Sequence, residues 1–93
     1  MKLRLNQIRN QFASIRGWKR RGRQIWKLYV FDDFMGGLRF LNRVAKLAEA
    51  MNHHPDVDIR YNKIKLTLTT HDEGGLTMKD FRLARKIDKM KRH

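Results

Sequence analysis

The stretch Ile64-Lys65-Leu66-Thr67-Leu68-Thr69-Thr70-His71-Asp72-Glu73-Gly74-Gly75-Leu76-Thr77-Met78-Lys79-Asp80-Phe81 contains a strand, a turn and the start of a helix. Ile64, Leu66 and Leu68 alternate with Lys65, Thr67 and Thr69, so the strand has one buried and one wet face. Gly74-Gly75 marks a turn. Thr77 then reads as a helix N-cap, and Asp80 holds the capping-box position, where Glu or Gln is the stronger match. Leu76 and Phe81 occupy the two places of a hydrophobic staple. Leu83, Ala84, Ile87 and Met90 form the apolar side of the helix that follows. A half-wet strand leading into an amphipathic helix points to helices layered on one face of a sheet.

Upstream, Ile59 and Tyr61 suggest a short strand, and Pro55 biases His54 to an extended backbone. Before it, Asp32 or Asp33 can cap a helix that runs to about Asn52. Phe34, Leu38, Leu41, Ala45 and Ala48 share one face of that helix. Phe40, Val44, Leu47 and Met51 form a second stripe beside it. One stripe can cover the chain's own sheet. The second is expected to meet the same helix of another subunit, in a homodimer or homotetramer. Earlier still, Ile25 to Phe31 is rich in β-branched and aromatic residues. With Trp18 to Arg20 and a turn at Arg21-Gly22 it reads as a hairpin. Leu5, Ile8, Phe12 and Ile15 recur at helical spacing, with Gly17 as the stop. The expected order is α-β-β-α-β-β-α: an α+β fold with a four-stranded antiparallel sheet and three helices on one face.

The chain of 93 residues is expected to be a single domain, residues 1–93. It has no cysteine, which excludes disulfides and thiolate metal sites. No apolar run is long enough for a membrane helix, and Met1 to Asn10 lack a signal-peptide apolar stretch. A soluble, cytoplasmic protein without membrane partners is the expectation. The net charge is +13, and residues 1–31 contain Lys and Arg but no Asp or Glu. A second basic cluster, Arg85, Lys86, Lys89, Lys91 and Arg92, closes the chain. Such a field implies weak, non-specific, salt-sensitive attraction to nucleic acid, or simply a solvated basic surface.

Three of the four histidines, His53, His54 and His71, lie close in sequence, while His93 is terminal. Imidazole is the side chain best suited to proton transfer near neutrality. Two rings at a helix end and one at a strand end can converge on one pocket. Glu49 stands four residues before His53, within reach of that ring in helical geometry.

The string Glu49, His53-His54-Pro55, Tyr61, His71 and Asp80 resembles the pterin-4a-carbinolamine dehydratase family in both residue types and spacing. Gly17-Trp18, Phe31-Asp32-Asp33-Phe34 and Val44-Ala45 also look like that family. The resemblance covers roughly residues 5–88. It implies dehydration of 4a-hydroxytetrahydropterin to quinonoid dihydropterin by histidine acid/base catalysis, with no cofactor and no metal. His53 and His71 are then the acid/base pair, and His54 binds and orients the substrate. Asn52, Thr69, Thr70 and Asp72 line the pterin site with the three histidines, Glu49 supports them, and Asp80 starts a helix. Tyr61 and Trp18 are expected to pack in the core. Vertebrate members carry Asp before the paired histidines; Asn52 can hydrogen-bond there but brings no charge. Family members form tetramers, in line with the second helix stripe.

Two rival readings use the same residues. Three imidazoles can hold a catalytic zinc, although adjacent ligands such as His53 and His54 fit one ion poorly. Alternatively, the chain keeps this fold as a non-enzymatic dimerisation, assembly or nucleic-acid-associated module. Animal members act as a dimerisation cofactor of a transcription factor, and plastid relatives are linked to protein assembly. The basic first third favours that alternative, and the intact histidine set opposes it.

Overall fold

The computed structural model describes residues 1–91; His93 lies outside the described residues. The elements follow in the order α1 (Leu5–Phe12), β1 (Lys19–Arg21), β2 (Gln24–Val30), α2 (Phe34–Met51), β3 (Asp56–Arg60), β4 (Lys63–Leu68), a 3-10 turn (His71–Glu73) and α3 (Met78–Lys91). The sheet is fully antiparallel in the order β1-β2-β4-β3. Two of the three pairings are local hairpins, and β2 reaches β4 across α2 and β3.

Register decides which face is buried. Ile25 pairs with Leu68, Lys27 with Leu66 and Tyr29 with Ile64. Ile25, Tyr29, Ile64, Leu66 and Leu68 join one core with Phe40, Val44, Phe81, Leu83 and Ile87 from the helices. On the opposite face Leu28 and Val30 are exposed. The helices therefore lie on one face, as the alternation in β4 predicts. Where α2 crosses the sheet, Gly37 allows a close approach: a Cβ there would stand 3.1 Å from Ile64 Cδ1.

Three features depart from the sequence reading. First, α1 ends at Phe12 rather than near Gly17. Ser14 N–H donates to Gln11 O (3.0 Å) and Ile15 N–H to Phe12 O (3.3 Å), which tightens the chain out of the α-helix. Ile15 is still buried. Second, the buried face of α2 draws on both stripes: Ala48 is buried as expected and Leu41 packs against the core, while Leu47 and Met51 are only partly buried. Phe40 and Val44, expected at a subunit interface, are 1% and 0% exposed. Phe40 packs its ring 4.7 Å from Tyr29 and 5.0 Å from Phe31. Phe34 and Ala45, expected to cover the sheet, face solvent. Helical periodicity separates two faces but does not say which one meets the sheet; the crossing at Gly37 does. Third, Tyr61 is not in the core. It occupies the β3–β4 turn with φ 53° and is 66% exposed.

Trp18 is buried, as expected. Its Nε1–H donates to Asp88 Oδ1 (2.9 Å), which also accepts from Lys27 Nζ (3.1 Å). This ties β2 and the segment before β1 to the far end of α3. Tyr29 lies nearby with its hydroxyl buried and, among the described residues, unpaired. Burial, reinforced by the negative charge of Asp88, pushes its phenol well above the usual range.

Candidate functional site

The site begins with how α2 stops. Asn52 adopts the left-handed conformation (φ 51°, ψ 42°), which Asn tolerates better than most residues. Its N–H donates to Glu49 O (3.1 Å), and His53 N–H donates to Ala48 O (3.0 Å). These bonds make a Schellman motif, with His53 as the residue that turns back under the helix end. The His53 side chain is buried as a result.

There it meets Asp80, which is fully buried at the start of α3. Asp80 Oδ1 lies 2.6 Å from His53 Nε2. Asp80 Oδ2 accepts from Thr70 Oγ1 (2.8 Å) and from the Thr77 N–H (3.0 Å). Thr77 Oγ1 accepts from the Lys79 N–H (3.2 Å) and lies 2.8 Å from Thr70 Oγ1. Half of the capping box read from Thr77 and Asp80 is present: the Asp80 carboxylate reaches back to the Thr77 N–H, while Thr77 Oγ1 caps Lys79 N–H rather than that of Asp80, and the acid does further work. One buried carboxylate joins the end of α2, the end of the β4 segment and the start of α3. With three donors, its charge is not left uncompensated.

The network also assigns the protons. An ionised carboxylate only accepts, so in neutral His53 the proton sits on Nε2. Thr70 donates its only hydroxyl proton to Asp80, so Thr77 donates to Thr70. His53 Nδ1 then carries a lone pair and has no protein partner among the described residues. The ring is held at one nitrogen and open at the other, the arrangement that lets an imidazole accept or deliver a proton.

Glu49 does not support His53. It pairs with His54 Nε2, and both side chains are exposed. The four-residue spacing would have favoured His53 had the helix continued, but the left-handed Asn52 ends that geometry. His71 lies at the start of the 3-10 turn rather than in β4, and is exposed. Its position is set by its neighbour Thr70, whose N–H donates to Gly75 O (3.2 Å) and whose O accepts from Gly75 N–H (3.3 Å). Asn52 and Asp72 are exposed, and Thr70 is buried with Asp80. Thr69 donates to Arg23 O (2.7 Å), linking the loop to the β1–β2 turn. Asp80 thus brings the His53 and His71 segments together, and His54 stands outside with Glu49. Among the described residues no cluster of His, Cys, Asp or Glu forms a metal-holding group. No helix among the described residues is long and apolar enough to cross a membrane.

Sequence reasoning placed Asp80 at a helix start and missed its bond to His53. The available signal was its place at the end of the spaced histidine string.

The family described as pterin 4 alpha carbinolamine dehydratase matches residues 1–90. A relative from Sulfurisphaera tokodaii, provisionally named a pterin-4-alpha-carbinolamine dehydratase, is 47% identical over 89 residues, 96% of each chain. One from Thermomicrobium roseum, named the same way, is 49% identical over 80 residues, 86% of each chain. A crystal structure from Brucella melitensis, described as a transcriptional coactivator/pterin dehydratase, superposes with a TM-score of 0.92 at 29% identity. It covers 97% of this chain and 98% of that one. A pterin dehydratase-like protein, described as a RuBisCO assembly factor of the alpha-carboxysome, shares the fold (TM-score 0.68, 20% identity). Here coverage is 83% of this chain and 92% of that one.

Proposed function

This chain belongs to the pterin 4 alpha carbinolamine dehydratase family, and from that premise we propose that it dehydrates 4a-hydroxytetrahydropterin to quinonoid dihydropterin. The reaction breaks the C4a–O bond. The hydroxyl leaves as water after taking one proton, and a ring nitrogen supplies the electron pair and loses one proton. Loss of water changes no overall oxidation level, so the chain needs only groups that deliver and remove protons.

The observation that supports this reading best is His53, anchored through Nε2 on buried Asp80 with Nδ1 free for a substrate. His53 is one member of the acid/base pair. His71, exposed on the loop that Thr70 ties to the same carboxylate, is the other. His54, Asn52, Thr69, Thr70 and Asp72 are proposed around the pterin. Because Thr70 is committed to Asp80, its contribution is to shape the loop.

The test is a dehydration assay with freshly generated 4a-hydroxytetrahydropterin and no added metal or nucleotide. His53→Ala and His71→Ala should each lower turnover by about 10² to 10⁴, the usual scale for a general acid or base. His71 is exposed, so its variant should melt like the parent. Wild-type turnover in His71→Ala would remove that residue from the mechanism.

The alternative is a binding module that keeps the fold. The chain's similarity to the Brucella melitensis transcriptional coactivator/pterin dehydratase favours it, as does the acid-free stretch of residues 1–31. Absence of turnover in folded protein would select this alternative.

A further inference from the structure

A second feature shares the loop that follows His71 and has a different character. Between the tip of the β1–β2 hairpin, the start of α1 and the loop after the 3-10 turn lies a pocket of about 180 Å³. Leu5, Ile8 and Leu76 supply apolar wall, and Lys2, Arg20 and Arg23 supply its charge. Among the described residues no acidic one lines it. Among the described residues none of these three cations is in an ion pair. Glu73, a carboxylate of the neighbouring loop, is tied to the Met1 amine at 2.9 Å.

The pocket is held in shape rather than formed by loose side chains alone. Leu3 N–H donates to Leu76 O (2.8 Å), fixing the segment that carries Lys2. The Lys2 stem lies against Gly75, where an added Cβ would stand only 2.8 Å from Lys2 Cδ. Gly75 is bonded at both backbone groups to Thr70, the residue before His71. Thr69 bonds the carbonyl of Arg23. The loop that presents His71 is thus also a wall of the cationic pocket. Three like charges around one cavity repel one another unless an anion sits among them, and Arg presents a fork suited to phosphate or carboxylate.

We propose that Lys2, Arg20 and Arg23 form an anion subsite beside the candidate active site, and that it takes the negatively charged tail, a phosphate ester or carboxylate, of a pterin substrate. This rests on the dehydratase reading for the reacting ring and adds the class of its substituent. A free phosphate ion offers the same chemistry, so the test separates the two.

The binding of two non-reacting dihydropterins, alike except for a phosphate on the side chain, would be measured by fluorescence titration with and without inorganic phosphate. The wild-type chain should bind the phosphorylated form about 10- to 100-fold more tightly, the scale of one or two hydrogen bonds to a charged group. Inorganic phosphate should compete with it and leave the neutral pterin unaffected. Arg20→Gln/Arg23→Gln should abolish the preference without changing affinity for the neutral form. Arg43→Gln/Lys46→Gln removes the same charge from exposed positions on α2 and should keep the preference. Equal binding of the two pterins, or a preference that survives in Arg20→Gln/Arg23→Gln, overturns the proposal. So does a preference lost equally in the α2 control, which would reduce it to net charge. Turnover of both carbinolamines is measured alongside. If neither reacts while the phosphate preference follows Arg20 and Arg23, the dehydratase reading fails and the anion subsite stands.

Discussion

Replacing Asp80 by Asn keeps the shape of the side chain and removes its charge. In the parent, its two oxygens accept from His53 Nε2, Thr70 Oγ1 and the Thr77 N–H at 2.6, 2.8 and 3.0 Å. The amide has one oxygen. Two donors stand on the Thr70 and Thr77 side, so the oxygen should stay there and the NH₂ should face His53. To receive it, the ring must move its proton from Nε2 to Nδ1, and the open nitrogen loses its lone pair. Turnover should fall by about 10² to 10⁴, as expected for a general base in the wrong tautomer. The three bonds remain but become neutral, each weaker by about 1 kcal/mol. Part of that loss is offset because a charge is no longer buried. A net cost of about 1 to 3 kcal/mol should lower Tm by roughly 5 to 20 °C in a domain of this size. Asp80→Ala leaves His53 and Thr70 without their acceptor and should cost about 3 to 5 kcal/mol. The assay pairs single-turnover dehydration with thermal melts and ¹⁵N spectra of the His53 ring. Parent-like turnover in Asp80→Asn would refute the positioning role of Asp80. A neutral parent ring protonated on Nδ1 would refute the proton assignment itself.

Three further outcomes can be measured. Tyr29→Phe removes a buried hydroxyl with no partner and should stabilise the fold by about 1 to 2 kcal/mol in a denaturant titration. Because folding raises the Tyr29 phenol above its unfolded value near 10, the unfolded chain loses that proton first. Stability in the parent should therefore be full below about pH 10 and fall as pH rises beyond it, a slope that Tyr29→Phe should lessen. Phe40→Ala should cost about 3 to 5 kcal/mol. Val44→Glu, which places a carboxylate at a fully buried position, should unfold the chain rather than dissociate an oligomer in light scattering. Nucleic acid should bind without sequence preference and weaken steeply from low to physiological salt in anisotropy titrations; a flat salt response would reject a purely electrostatic origin.

Local pattern carried much of this protein. Ile64, Leu66 and Leu68 against Lys65, Thr67 and Thr69 defined a strand with one wet face, and the register with β2 agrees. Asp33 caps α2 by accepting from Gly36 N–H (2.7 Å), and Thr77 caps α3. These features lie within a few residues of one another, so spacing alone expresses them. The spaced string from Glu49 to Asp80 likewise marked the family and the candidate residues before any of them had a position in space.

What spacing could not express was which partner each group would find. His53 was within helical reach of Glu49, yet the left-handed Asn52 ends the helix and delivers His53 to Asp80, 27 residues away. Glu49 is left to His54. Phe40 and Val44 were legible as a stripe, but whether that stripe faced the sheet or another subunit depended on the crossing of α2 at Gly37. Tyr61 had strand propensity and went to an exposed turn. Lys2, Arg20 and Arg23 were only part of a diffuse basic third until the hairpin tip and the Gly75 loop closed around them. Each of these was decided by tertiary contacts between distant segments, because burial and charge compensation depend on neighbours in space and a helical or strand period describes only neighbours along the chain.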